Sequence, residues 1–265
     1  HAPDLVSGTE SAGPEDSAGA AGAAGAAGAP GNPGVSGAAG VADQGARADL
    51  PGPTEWGEGQ VGVGPWEFEH PGVPRPTGDR WDPELLDSGD RRNVVDRYRY
   101  WRREAIVADL DTRRHPFHVA IENWVHDLNI GSVVRTANAF NVAGVHILGR
   151  RRWNRRGAMV TDRYLHVHHH ASVEEFVAWA ETAGVALVGV DNLPGSVPLE
   201  TAELPEACCL VFGSEGPGLT DEVVAACDRL VAITQHGSTR SLNAGAAAAI
   251  AMYHWSLQHA RALDA

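Results

Sequence analysis

Over about 150 residues, short apolar runs rich in β-branched residues alternate with helical stretches, and this alternation leaves few folds open. HVAIENW (118–124), GVHILG (144–149), ALVGVD (186–191), ACCLVFG (207–213) and LVAIT (230–234) read as strands. IGSVVRTANAF (130–140), SVEEFVAWAETAG (172–184), LTDEVVAACD (219–228) and SLNAGAAAAIAMYHWSLQHARAL (241–263) read as helices. Ser172 supplies an N-cap for the second of these and Gly184 a stop. Strands apolar along their whole length are those buried on both faces of a parallel sheet. The pattern predicts one α/β domain over 115–265, with helices flanking a parallel sheet.

The residues before it differ in kind. AGAAGAAGAAGAPGNPG, within 1–50, offers almost no apolar area to offset chain entropy, and interleaved Gly and Pro oppose helix. Residues 51–90 stay rich in Gly, Pro and acids around Trp56, Trp66, Phe68 and Trp81. We expect a low-complexity acidic tail over 1–90, without fixed structure, the alternative being that these aromatics dock onto another surface. NVVDRYRYWRREAIVADLD then predicts a basic helical extension within 91–114, with Val94, Tyr98, Trp101, Ile106 and Leu110 available to pack.

Charge follows the same division. The net charge of -13 argues against a nucleic-acid partner when read whole. Residues 1–90 hold 15 acidic residues and 3 Arg, whereas 91–163 hold 15 Arg and 7 acids. The distribution therefore restores a basic surface that the total conceals. All basic residues are Arg, with no Lys, in keeping with the Ala- and Gly-rich bias of the chain.

Several chemistries are excluded. No apolar run approaches the ~18–20 residues that cross a bilayer, and the start lacks a signal-peptide pattern. Cys208, Cys209 and Cys227 are too few for a disulfide framework and lack zinc-ligand spacing, so a reduced, cytoplasmic protein is expected. No G-x-G-x-x-G follows a predicted strand, and no P-loop, H-E-x-x-H or G-x-S-x-G occurs.

Three loops at the C-terminal ends of strands remain, where open α/β sheets bind ligands. In the first, Asn129 fits an N-cap and Gly131 permits close backbone approach. Arg135 follows on an otherwise apolar helix, as a solvent-facing or paired residue or as a functional one. The second, FGSEGPGL (212–219), sets Glu215 among three glycines: an ordinary turn, or a loop folded around an adenosine-like ligand. The third, ITQHGSTRSLN (233–243), ends at Ser241, a good N-cap, and Asn243. The small residues after Asn243 suit either a tightly packed core helix or close approach of a cofactor.

In this order, NIGSVVRTA, FGSEGPGL and ITQHGSTRSLN resemble the three motifs of the SpoU family, S-adenosylmethionine-dependent RNA 2′-O-ribose methyltransferases of the SPOUT superfamily. The likeness covers about residues 115–258. Asn141 stands where the family usually has Gly, and Ala244-Gly245 where Val-Ser is common; both departures lie outside the polar positions. The resemblance implies a C-terminal trefoil knot, a homodimer, and S-adenosylmethionine held by Val190, Gly213, Gly218, Ile233, Gln235, Ser241 and Leu242. It assigns the reaction to Arg135, Asn129, Glu215, Ser241 and Asn243, with Arg135 handling the 2′-hydroxyl proton. A guanidinium with pKa above ~12 stays protonated, so an electrostatic role for Arg135 is the chemically sound one.

The RNA, tRNA or rRNA, is expected on two stretches that interleave Arg with aromatics, RYRYWRR (97–103) and GRRRWNRR (149–156). Their candidate contacts are Arg99, Arg102, Arg103, Arg150, Arg151, Arg152, Arg155 and Arg156. His166 and His168–His170 suggest a metal, but consecutive strand residues face opposite ways, and no metal is expected. A knotted RNA-binding protein without catalysis and a methyltransferase of a non-RNA substrate are the alternatives.

Overall fold

The computed structural model describes residues 62–124 and 129–260. Short helices α1 (Trp66–Glu69) and α2 (Pro83–Ser88) lead to α3 (Arg103–Asp111) and then β1 (His115–Asn123). There follow α4 (Ile130–Ala139), β2 (Val142–Gly149), β3 (Val167–His170), α5 (Val173–Ala183) and β4 (Ala186–Val190). The chain continues through β5 (Val197–Pro198), β6 (Cys208–Phe212), α6 (Asp221–Ala226), β7 (Arg229–Ala232) and α7 (Ala244–His259).

The seven strands form one sheet in the order β3-β2-β1-β6-β4-β7-β5, with every pair parallel. Strand residues alternate between two apolar layers, as the two-residue period requires. Val119, Ile121, Leu210 and Val188 pack with α4 and α7 on one face. Ala120, Leu148, Val211 and Leu187 pack with α5 and α6 on the other. Register then sets the rim: Ile121 lies opposite Phe212, Phe212 opposite Val190, and Val190 opposite Val231. The loops leaving β1, β6, β4 and β7 therefore start from one edge of the sheet.

Local signals explain most boundaries. Ser172 caps α5 through the amide of Glu175, and Gly184 ends it in the left-handed conformation at φ 65°. The capping expectation at Ser241 shifts by two residues: Asn243 is the N-cap of α7, its Oδ1 accepting from Gly245 N at 3.0 Å and Ala246 N at 3.2 Å. Asn141, where the family usually has Gly, adopts φ 46°, a left-handed position that Asn tolerates better than most residues.

The expected tail and basic helix need correction. Residues 1–61 of the tail, and the last residues of the expected C-terminal helix, lie outside the described residues. Residues 62–90, however, are folded against the chain that follows. Val63 bridges to Asp90 and Trp81 to Trp101, and the Tyr100 hydroxyl donates to Gly64 O at 2.7 Å. Trp66 meets Tyr100 edge to face at 5.5 Å. Buried Asp90 accepts from Arg92 Nη2 at 2.7 Å and Tyr100 N at 3.0 Å. Burial alone would raise its pKa, but these donors and the Arg92 charge hold it below the usual carboxylate range. Composition concealed this unit because its apolar area comes from a few widely spaced aromatics.

The stretch 93–111 is not one helix. Tyr100 at φ 63° interrupts it, leaving a 3-10 turn at Asp96–Tyr98 and α3 from Arg103. The expected packing residues still gather: Tyr98, Ile106 and Tyr164 form a cluster with Val94, Trp101 and Leu110 against it.

Candidate active site

At the rim, the loops after β4, β6 and β7 enclose a cleft of about 410 Å³. Val190, Phe212, Ile233 and Leu242 supply apolar lining, and Asp191, Gln235 and Asn243 supply polar groups. Gly213, Glu215, Gly218 and Ser241 also line it, so all the residues expected to bind cofactor converge on one cavity.

Glycine is required where the second loop folds back. A Cβ on Gly213 would strike the backbone of Gly218 and Leu219, and one on Gly218 would strike the Asp191 carboxylate. Gly218 is also left-handed, at φ 75°. Asp191 Oδ2 accepts from Leu219 N at 2.8 Å and Oδ1 from Asn192 N at 2.7 Å. Asp191 thus fastens the Gly-rich loop to the end of β4, a role that its position in an apolar strand did not reveal.

The polar residues of the three loops form a chain. Asn129 Nδ2 donates to Glu215 Oε2 at 2.7 Å, and Asn243 Nδ2 donates to Asn129 Oδ1 at 2.8 Å. Asn129 occupies the N-cap position of α4 but makes no side-chain cap bond to that helix. Its amide instead joins the second loop to the third. Because Asn243 Oδ1 caps α7, both ends of its amide are fixed. The expected cap was therefore right in position but wrong in partner.

Arg135 lies beyond this chain on α4, exposed and without an ion pair among the described residues. Gly131 allows the backbone approach expected of it, since its Cβ would meet Gly157 Cα at 2.7 Å. That contact sets the 3-10 turn Arg155–Ala158 against the start of α4. Gly245 similarly lets α7 approach Ser132.

The arginine assignments divide. Arg150, Arg151, Arg152, Arg155 and Arg156 are exposed; Arg155 lies over the Trp153 ring at 5.5 Å and 3.3 Å from Asp162. Arg102 donates to Trp81 O at 2.9 Å, and Arg103 pairs with adjacent Glu104 at 2.7 Å. Arg99 departs from expectation. Its side chain is only 15% exposed and donates to the carbonyls of Asp90 and Arg92, so it braces the folded N-terminal segment.

The histidines gather differently from their sequence spacing. His168 and His170 face α5 beside His146 and His118, while His169 Nε2 donates to Gly149 O at 2.7 Å. Sequence reasoning missed His118 and His146 because they lie on separate strands. Among the described residues, no group of His, Cys, Asp or Glu has the arrangement to hold a metal ion. Cys208, Cys209 and Cys227 are free thiols. No described helix is long and apolar enough to cross a membrane.

The residues of this rim fall within a stretch that is similar to known proteins. Residues 116–253 match the SpoU rRNA Methylase family. The chain is 26% identical over 164 residues to a tRNA (guanosine(18)-2′-O)-methyltransferase of Escherichia coli, covering 60% of this chain and 72% of the relative. It is 30% identical over 191 residues to an uncharacterized tRNA/rRNA methyltransferase of Mycobacterium marinum, covering 68% and 59%. The solved SpoU methyltransferase AviRb of Streptomyces viridochromogenes, in complex with AdoMet, aligns with TM-score 0.51 and 27% identity. That alignment covers 57% of this chain and 63% of AviRb. The A. aeolicus TrmH/SpoU tRNA modifying enzyme, at 21% identity and TM-score 0.53, shares the fold, with 59% and 81% covered. The family match spans over half of the sequence and includes all three loops of the cleft: this chain is a member of the SpoU methylase family.

Proposed function

We propose that this chain methylates a ribose 2′-hydroxyl of tRNA or rRNA, using S-adenosylmethionine. The hydrogen-bond chain Glu215–Asn129–Asn243, which ties two cleft-lining residues to the start of α4, the helix carrying exposed Arg135, is the observation that carries the reading. The E. coli relative is named for tRNA 2′-O-methylation, and the AviRb structure contains AdoMet.

The cleft fits the cofactor chemically. Val190, Ile233 and Leu242 offer apolar contact to a purine, while Gln235 Oε1 is a buried acceptor without a hydrogen-bond partner among the described residues. Gly213, Gly218 and Ser241 complete the wall from backbone and hydroxyl groups. When bound, S-adenosylmethionine supplies a methyl group already activated on a sulfonium. The chain's own task is then to place the ribose oxygen and stabilise its developing charge. Asn129 has its amide fixed at both ends and so holds a defined orientation. Arg135 stays protonated, grips a neighbouring phosphate and stabilises the oxyanion; phosphate or water accepts the proton.

RNA lies along Arg150–Arg152, Arg155 and Arg156, with Arg102 and Arg103 on the N-terminal segment and Arg99 excluded. The family's knot is formed by the passage of 233–243 from β7 into α7. The insertion of β7 between β4 and β5 supports this reading. Two copies associate through α7, where Ile250, Tyr253 and Leu257 are exposed at helical spacing. Free thiols suit a cytoplasmic setting.

The decisive assay is transfer of labelled methyl from S-adenosylmethionine to RNA, with RNase sensitivity of the labelled product. Arg135→Ala should lower turnover about 10²–10³-fold while leaving cofactor affinity unchanged. Equal loss of both would sink the assignment of Arg135.

A further inference from the structure

β1 ends in two adjacent buried polar residues, Glu122 and Asn123, that face opposite sides of the sheet. On the α5/α6 side, the Glu122 carboxylate accepts from Thr220 N at 2.9 Å, Thr220 Oγ1 at 2.7 Å and Trp124 Nε1 at 2.6 Å. Its backbone carbonyl accepts from Ser214 Oγ at 3.0 Å. Ser214 and Thr220 bracket the Gly-rich loop of the cleft, so Glu122 holds both ends of that loop. On the other side, Asn123 Nδ2 donates to Arg150 O at 2.6 Å and Arg152 O at 3.1 Å. Arg150 N donates to Asn123 O at 3.0 Å. The exposed Arg150–Arg152 turn is thus held by Asn123 through both its side-chain amide and its backbone carbonyl.

We propose that Glu122 and Asn123 are positioning residues for two different ligands: Glu122 sets the cofactor loop, and Asn123 sets the arginine turn that contacts RNA phosphates. The proposal rests on the functional reading above and extends it to residues that touch neither ligand. The physical reason is leverage. Each side chain is fully or almost fully buried at the end of a central strand, while its partners lie on the loops that leave the strand ends. An amide that donates to two carbonyls fixes where their arginine side chains start. Two neighbouring residues on opposite faces can then affect two ligands separately.

Asn123→Asp places a carboxylate against the Arg150 and Arg152 carbonyls, and Asn123→Ala removes the donors without adding charge. Both should raise the RNA dissociation constant about tenfold, the loss of roughly one to two hydrogen bonds. They should reduce its salt dependence and leave S-adenosylmethionine affinity unchanged. Glu122→Gln, which turns a donor towards the Thr220 donors, should do the converse. It should weaken S-adenosylmethionine about tenfold at unaltered RNA affinity. Amide exchange provides a second readout, faster at 150–156 in the Asn123 variants and at 214–220 in Glu122→Gln.

Each variant's unaffected ligand serves as its folding control. Loss of both affinities together, or of neither, in the Asn123 variants overturns the proposal while leaving the functional reading intact. A wild-type protein that binds S-adenosylmethionine but no RNA overturns the functional reading, and this proposal with it.

Discussion

On the α5/α6 face of the sheet, β1 carries two buried polar systems four residues apart, and they solve burial in different ways. Glu122 accepts three neutral donors and needs no proton for any of its contacts. His118 instead begins a file: its Nδ1 meets His146 Nε2 at 3.0 Å, and His146 Nδ1 meets His170 Nε2 at 2.9 Å. A neutral imidazole has one N–H and one bare nitrogen, so the three rings must share a single donor direction. His170 Nδ1 is left without a partner among the described residues. Trp179 covers the file, 3.7 Å from the His146 ring centre, and His168 stacks on it at 4.9 Å. Burial, and then the neighbouring His118, His168 and His170, push His146 down to about 2; burial and His168 push His118 down to about 4. The carboxylate is therefore committed to its role in the rim, whereas the histidines make the same face sensitive to acid.

The largest test of that contrast removes the carboxylate. Glu122→Ala leaves the Thr220 and Trp124 donors without their acceptor, and should cost about 3 kcal/mol, or roughly 6–12 °C in Tm. Thermal unfolding at neutral pH measures it; a loss below about 1 kcal/mol would mean that water replaces the carboxylate freely.

The next test concerns pH. His146 has a lower pKa folded than unfolded, so the unfolded chain binds the extra proton below about 6.5. Stability should be level above that pH and fall on acidification, by about 2 kcal/mol from this residue between pH 7.5 and 5. Denaturant unfolding across the window should show a flatter slope in His146→Leu, even though that variant starts less stable. An unchanged slope would assign the acid sensitivity elsewhere.

The smallest effect is expected at the cover. Ser172→Ala removes the cap of α5, the helix carrying Phe176 and Trp179, and should cost about 1 kcal/mol. Ser172 does not itself ionise, and its hydrogen bond to Glu174 lowers a carboxyl that is already ionised over this range, so the cost should be nearly the same at pH 7.5 and 5; a strongly pH-dependent cost would tie helix fraying to histidine protonation.

Legibility varied with the range of the interaction. The five apolar strands expected from residue 115 onward formed near the places read for them, whereas His-rich β3 and two-residue β5 carry no apolar pattern to read; Ser172 and Gly184 marked α5 correctly because capping is local. The three site loops were visible as glycines and polar residues following strands. Three features were hidden. The fold of 62–90 depends on Trp66 and Trp81 meeting residues near 100, contacts that acidic, Gly- and Pro-rich composition masks. Arg99 looked like its neighbours, but turns inward to backbone carbonyls. The polar pair Glu122–Asn123, ending an apolar strand, was an available signal whose partners lay too far along the chain to infer.

The sequence alone determined the parallel α/β architecture and the residue types of the cleft, because periodic burial and glycine-dependent loop geometry are written into neighbouring positions. Tertiary structure decided the partners. Asn129 and Asn243 are 114 residues apart and bond only because α4 and α7 pack on the same face of the sheet. Glu122 reaches Thr220 across 98 residues because β1 and β6 are neighbours. A hydrogen bond depends on position to within a few tenths of an ångström, and only the assembled sheet sets those distances.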